Sequence, residues 1–355
     1  MLKPSLTSLS NRRRIISSLL IGFIFLFLLK EGSQFIYKSK PESRVVNTGS
    51  YYLSKFGLST WHDSDSFLFP YHLHLMQLDL SSENFKRYCL FLLHLSSLIL
   101  ISYTAYRRDL FAASFISVFL LLSPIYLIQI TWIGFPDHLN FLFLTLLILS
   151  LDASITKAKW NWTILPLFIL GSWNHFYQFN VSASLVLLTF FALNKRINYK
   201  IIFFAFSGAF LGRISALFLF HLQDVEILNR RENVILAMKI DSWIKMHTSH
   251  IMLTLLSFFN GLIILFLENL LRKYFIMLII FFLAICVTFF TSDTTRVFVN
   301  LFYPSWILFW LHRSKTGFKK NEKFLLAALL IAAAIYTLSF DLFYKWGGKI
   351  IYLMR

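Results

Sequence analysis

Charge is what this chain has least of. Only 14% of its 355 residues are charged, against 57% that are hydrophobic and 41 that are Phe, a balance that a water-exposed surface could not tolerate. Lipid is therefore expected to be the main solvent, and there is no stretch polar enough for a separate soluble domain. Residues 1–355 read as a single integral membrane domain. There are only two cysteines, Cys89 and Cys286, both in or at the edge of apolar runs, so they give neither a metal motif nor a disulfide framework. No compact zinc-ligand spacing joins His62, His72, His74, His247 and His250, so no metal-histidine centre is expected. No internal repeat and no low-complexity tract interrupts the pattern. Arg12, Arg13 and Arg14 precede an apolar stretch as they would in a signal peptide. However, Lys30-Glu31-Gly32-Ser33-Gln34 is not a small-residue cleavage site, which points to an uncleaved first helix.

Long apolar runs are what the chain has in their place. They fall near 15–29, 88–105, 110–131, 138–151, 162–174, 181–193, 201–221, 251–267, 275–291, 297–311 and 324–340. A bilayer core of about 30 Å needs about 20 mostly apolar residues per helix. The expectation is an all-α, polytopic transmembrane bundle of about eleven helices. The net charge of +17 does not imply a nucleic-acid partner, because the Lys and Arg residues sit in short clusters between apolar runs and not on one basic domain. With the N-terminus cytoplasmic, 18 of the 34 basic residues fall in short connections on that side, as the bias of cytoplasmic loops toward Lys and Arg requires. Asp63, Asp65, Asp79, Asp137, Asp224, Asp241, Asp293 and Asp341 then lie outside, with Asp109, Asp152, Glu268 and Glu322 inside. Two outward loops, about 31–87 and 222–250, are long enough for structure, and short interfacial helices are expected in both.

Five outward features could carry chemistry. Trp61-His62-Asp63-Ser64-Asp65-Ser66 puts two carboxylates two residues apart, suited to a divalent cation or to general-base work; a solvated turn has the same composition. In Gly134-Phe135-Pro136-Asp137-His138 the acid either meets an outward cavity or caps the next helix. Asp293 and Arg296 are three residues apart, so Arg296 is available to grip a phosphate or to pair locally with Asp293. Arg213 lies inside an apolar run, where it faces a cavity, snorkels, or pairs with an outward carboxylate. Trp173-Asn174-His175-Phe176-Tyr177-Gln178 reads as an outward turn mixing aromatic, amide and imidazole groups, a mixture suited either to sugars or to anchoring at the membrane interface.

An acidic pair after the first helix, an acid between the third and fourth, and about eleven spans together resemble the GT-C class of membrane glycosyltransferases. The resemblance implies a sugar donor linked to polyprenyl phosphate and a glycan, lipid or protein acceptor, acting at the outer face of a multi-pass protein of the bacterial inner (plasma) membrane. By this resemblance Asp63 or Asp65 is the catalytic base and Asp137 a second catalytic acid. Arg213 or Arg296 holds the lipid phosphate, and His62, Trp173, Asn174, His175 and Asp293 contribute to substrate binding. No cofactor is fixed by it, a divalent cation being compatible but not required. The segment from Asp293 to Arg296 also resembles one found in membrane proteins of surface-polysaccharide loci. The chain departs from larger members in having no soluble C-terminal domain. Two other readings stay open. A polysaccharide polymerase of the O-antigen type would depend on Arg213, Arg230, Arg231 and Arg296, and a transporter or structural subunit would need none of these chemistries.

Overall fold

The computed structural model describes residues 6–36, 48–58, 66–225, 240–340 and 342–353. Helices account for nearly all of it: α1 (Leu6–Ile36), α2 (Thr48–Phe56), α3 (Leu68–Leu75), α4 (Ser82–Arg107), α5 (Leu110–Leu122), α6 (Pro124–Thr131), α7 (Asp137–Ser154), α8 (Ile164–Asn194) and α9 (Tyr199–Leu222). After these come α10 (Ile240–Thr248), α11 (Ile251–Phe259), α12 (Ile263–Leu271), α13 (Phe275–Thr288), α14 (Thr294–Arg313) and α15 (Lys320–Ser339). Among the described residues seven helical segments are long and apolar enough to cross a membrane, or eight if α5 and α6 form one bent span. By that measure the eleven expected from the sequence are not reached.

Local chemistry explains most of the boundaries. Ser81 caps α4 by accepting from the Asn84 N–H at 3.2 Å, and Asp109 caps α5 by accepting from Ala112 N–H at 2.8 Å. The 52° bend between α5 and α6 falls at Ser123-Pro124. Proline cannot continue the preceding helix and forces Ser123 into an extended conformation, and the Ser123 hydroxyl then caps α6.

The shorter count conceals a reversal inside α8. His175 has φ −159° and ψ 97°, far from helical values. In a straight helix Ser172 and Asn180 would be about 12 Å apart along the axis, yet the Asn180 amide donates to the Ser172 hydroxyl at 2.9 Å. Phe168 and Phe179 are in edge contact at 5.5 Å, and a Cβ on Gly171 would strike the Phe179 ring at 2.3 Å. Residues 164–174 and 176–194 are therefore two legs of a helical hairpin with its apex at Trp173–Phe176, where the sequence places a turn.

α14 forms the centre. It is buried on all sides, from Phe298 through Leu311, and packs against α7, α8 and α13. A helix screened from solvent on every face can carry the Asn300, Ser305 and His312 that lower its hydropathy. By contrast α1, α9 and α15 present exposed apolar side chains such as Phe23, Phe206, Phe210 and Phe324, which suits a lipid environment.

α7 and α14 run in the same direction. Asp137 and Arg296 meet at their first turns, and Asp152, in the last turn of α7, and Lys315, just past the end of α14, approach at 3.7 Å. The eighteen residues of α7 separate these ends by about 27 Å. At the second end the four acids assigned to the cytoplasmic side are all ion-paired: Asp109 with Lys323, Asp152 with Arg108, and both Glu268 and Glu322 with Arg313. Loops that alternate in sequence thus gather at one face of the bundle, as the alternating assignment requires.

The bundle is all-α, as the sequence leads one to expect, with one small addition: Leu342–Trp346 and Lys349–Leu353 form an antiparallel hairpin. Gly347 and Gly348, both at positive φ, make its two-residue turn. In the outward loops the described helices are α2 and α3 in the first and α10 in the second. α2 and α3 form a small second core, in which Leu53, Leu58, Phe67 and Tyr71 pack on Ala216 and Phe220 near the end of α9.

Candidate functional site

At the end of the bundle away from the paired acids, the loop before α7 and the start of α14 bring three charged groups together. Asp137 is the first residue of α7 and is 1% exposed. It does not cap that helix. One of its oxygens accepts from the Gln178 amide at 2.9 Å and the other from the Arg296 guanidinium at 3.1 Å. Arg296 also donates through Nε to Asp293 at 2.5 Å, and its guanidinium lies 4.2 Å from the centroid of the Phe135 ring. Residues 156 positions apart in the chain therefore form a carboxylate–guanidinium–carboxylate unit, in which Arg296 makes the local pair that one of its two sequence readings describes. It pairs locally with Asp293 and reaches a second acid.

The formal charge of this unit is negative, two carboxylates against one guanidinium, in a setting where unpaired charge is costly. Asp293 shows the consequence. Burial pushes its carboxyl above the ordinary carboxylate range, with Asp137 adding to the effect and Arg296 opposing it. Its second oxygen, Oδ1, is buried without a hydrogen-bond partner among the described residues. Of the two acids, Asp137 is engaged through both oxygens, whereas Asp293 keeps one for another group.

The surroundings are amides and aromatic rings. Asn174, fully buried at the α8 apex, donates to the Pro136 carbonyl at 2.9 Å and to the Asn140 side chain at 2.6 Å. The reversal of α8 thereby fixes the turn that carries Asp137. His175, also buried, holds the non-helical backbone of the apex. Both residues are buried, and Asn174 ties the apex to α7. Trp173 is half-buried; its indole donates to Ser215 on α9 at 2.8 Å, and its carbonyl accepts from the Phe67 N–H at 3.3 Å. Arg213 lies over the Phe176 ring at 4.8 Å, on the α9 side of the apex. The C-terminal hairpin covers the opposite flank, where Tyr344 and Trp346 contact Trp132 and the Lys345 N–H donates to Thr295.

His62, Asp63 and Asp65 lie outside the described residues, as do Arg230 and Arg231. The residues that bracket the acidic pair, Leu58 and Phe67, are both buried in the small core against the end of α9, and Phe67 is hydrogen-bonded to the α8 apex. Among the described residues no group of three or more His, Cys, Asp or Glu side chains is placed to hold a metal ion.

Gln178, Asn140 and Phe135 are site residues to which the sequence reading gives no role. Gln178 and Phe135 fall within the two outward segments it singles out, and Asn140 has a signal as a polar side chain in an apolar run, since such groups usually point into a bundle. Nothing marks Phe135 itself apart from the other 40 phenylalanines. No protein-family model, curated protein or solved structure matches this chain.

Proposed function

We propose that the protein is a membrane glycosyltransferase of the GT-C type, transferring a sugar from a polyprenyl-phosphate donor to an acceptor hydroxyl at the membrane face that bears Asp137, Asp293 and Arg296. The carrying observation is that buried unit, in which one guanidinium shared by two carboxylates stands among amide and aromatic groups. Transfer of this kind breaks the bond from sugar C1 to phosphate oxygen and forms one from C1 to the acceptor oxygen. A carboxylate takes the acceptor proton, and a cation stabilises the phosphate that leaves. Arg296 is the cation in this reading. Asp293, with an unengaged oxygen and a raised affinity for protons, joins Asp63 and Asp65 as a candidate base. Asp137 positions Arg296 and does not take the proton itself. Arg213, on the far side of the α8 apex, is assigned to the lipid-facing side of the site.

The topology that goes with this reading has the N-terminus in the cytoplasm and eleven crossings. It counts the two legs of α8 separately, takes α5 with α6 as one bent crossing and α11 with α12 as another, and includes α13 and α14. The fold-back at His175 supports the first of these choices, and the gathering of Asp109, Asp152, Glu268 and Glu322 among cations supports the orientation.

The test follows radiolabel from a polyprenyl-phosphate-linked hexose into products of membranes that contain the protein. Arg296→Lys, Asp293→Asn, Asp63→Asn and Asp65→Asn are compared at equal amounts of folded protein. Loss of transfer is expected in Arg296→Lys and in at least one carboxylate variant. Undiminished transfer in all four defeats the assignment. The complete engagement of Asp137 favours a second reading, in which the unit is a structural interlock between α7 and α14. In that case Arg296→Lys lowers the yield of folded protein and leaves activity per folded molecule unchanged.

A further inference from the structure

At the other end of the bundle, a cavity of about 670 Å³ opens between the ends of α8, α12 and α14 and the start of α15. Its volume lies within the range of small-molecule sites. Five cationic side chains line it, Lys195, Arg272, Lys273, Arg313 and Lys315, against the single carboxylate of Glu322. The rest of the wall combines apolar side chains such as Leu193, Phe275 and Phe309 with the polar groups of Tyr274, His312 and Thr316.

The pairing of these charges leaves an excess. Arg313 donates to Glu268 and to Glu322, and Arg272 pairs with the same two acids, so two arginines and two glutamates compensate one another. Asp152, the next nearest acid, is held by both of its oxygens on Arg108 at 2.7 and 2.8 Å. Lys315 stands 3.7 Å from it, beyond hydrogen-bond reach. Lys195 and Lys273 have no ion pair among the described residues. Two ammonium groups therefore face the cavity without a carboxylate of their own, and a third, Lys315, shares Asp152 with Arg108. Burial holds the Lys315 ammonium below its ordinary pKa, with Asp152 opposing and Arg108 adding to the effect, and an anion in the cavity would relieve that cost. Lys195 and Lys273 both adopt left-handed backbone, φ 52° and 61°, at the ends of α8 and α12. Helices ordinarily place Gly or Asn there.

We propose that this cavity binds a phosphate-bearing anion. The apolar part of the wall beside the lysines makes an anionic phospholipid headgroup the favoured source, with a soluble phosphate ester as the other. Full-length protein is placed in phosphatidylcholine nanodiscs with and without phosphatidylglycerol, and retained lipid is counted by native mass spectrometry. sn-Glycerol 3-phosphate and inorganic phosphate are titrated separately in the phosphatidylcholine discs, with thermal stabilisation as the readout. The variant is K195N/K273N, because Asn removes the charge and suits a left-handed residue, so folding in phosphatidylcholine alone is expected to be unchanged. The control is K319N/K320N, which removes two exposed lysines at the same end that do not line the cavity. Retention of phosphatidylglycerol is expected to fall roughly thirtyfold in K195N/K273N, about fivefold for each lysine, with little change in the control. The same variant dependence with the soluble phosphates and none with phosphatidylglycerol upholds the site and assigns it to a free ester. Equal losses in variant and control, or no dependence on any of the three anions, overturn the proposal.

Discussion

Replacing Arg296 by methionine removes the one cation from a buried group of three charges, and the consequence can be worked from the contacts. Methionine fills similar space beside Phe135 but supplies no donor. Asp137, 1% exposed, then keeps only the Gln178 amide, and Asp293 loses the guanidinium it shares. Leaving one partner of a buried ion pair uncompensated costs about 3–5 kcal/mol. Asp137→Asn alone should cost less, about 1–2 kcal/mol, because an amide oxygen still accepts from Gln178 and Arg296 keeps Asp293. In the double variant the stranded carboxylate of Asp137 is absent. Its loss should therefore fall short of the sum of the single losses by at least about 1.5 kcal/mol.

The measurement is a double-mutant cycle of chemical unfolding on detergent-solubilised protein, read by tryptophan fluorescence. A cycle that closes within about 0.5 kcal/mol of additivity would mean that the two side chains, 3.1 Å apart, do not interact energetically, and the geometry of the site would be wrong.

Two further outcomes follow from single residues. The Asp293 carboxyl starts from 3.8 in the unfolded chain and lies higher in the folded one, so above 3.8 the folded state binds more protons than the unfolded state. Stability should therefore fall as pH rises from 3.8 through the raised value, and unfolding profiles of Asp293→Asn should lack that slope; an identical slope in the variant refutes the assignment. Gly208 lets α9 approach the first leg of α8, and a Cβ there would lie 2.6 Å from the Leu165 carbonyl oxygen, which is backbone and cannot yield. Gly208→Ala should cost about 1–3 kcal/mol in the same unfolding assay despite the better helix propensity of alanine, and a neutral or stabilising result would show that the two helices are not in that contact.

Much of the architecture was legible because lipid leaves a chain few options. Once apolar runs are read as helices, connections must alternate between faces, and this alone groups Arg108 with Asp152 and Arg313 with Glu268. The reversal at His175 was legible as well, from amide and imidazole groups interrupting an apolar stretch. The bend at Ser123-Pro124 and the turn at Gly347-Gly348 carried local signals that apolar periodicity passes over. The partners of Asp137 were not legible, because a carboxylate at the start of a helix has the same sequence whether it caps that helix or reaches across the bundle. Its choice is made by Gln178 and Arg296, which come from other elements and whose distance no spacing along the chain encodes.

The two ends of the bundle differ in how their charge is balanced, and that difference bears on where chemistry belongs. At the end with Asp109, Asp152, Glu268 and Glu322, every carboxylate has a cation and ammonium groups remain in excess, so that end is suited to hold an anion and poorly suited to accept a proton. At the end with Asp137, two carboxylates divide one guanidinium, and burial, with a smaller contribution from Asp137, raises the proton affinity of Asp293. A general base must have a lone pair that is not already committed and a proton affinity above that of a solvated carboxylate. Among the charged groups described at the two ends, Asp293 meets both conditions, with Oδ1 unengaged and its carboxyl shifted upward. On the proposed reading, proton transfer is assigned to Asp293 at the face where α14 begins, and the proposed binding of anions without reaction lies about 27 Å away at the face where α7 ends.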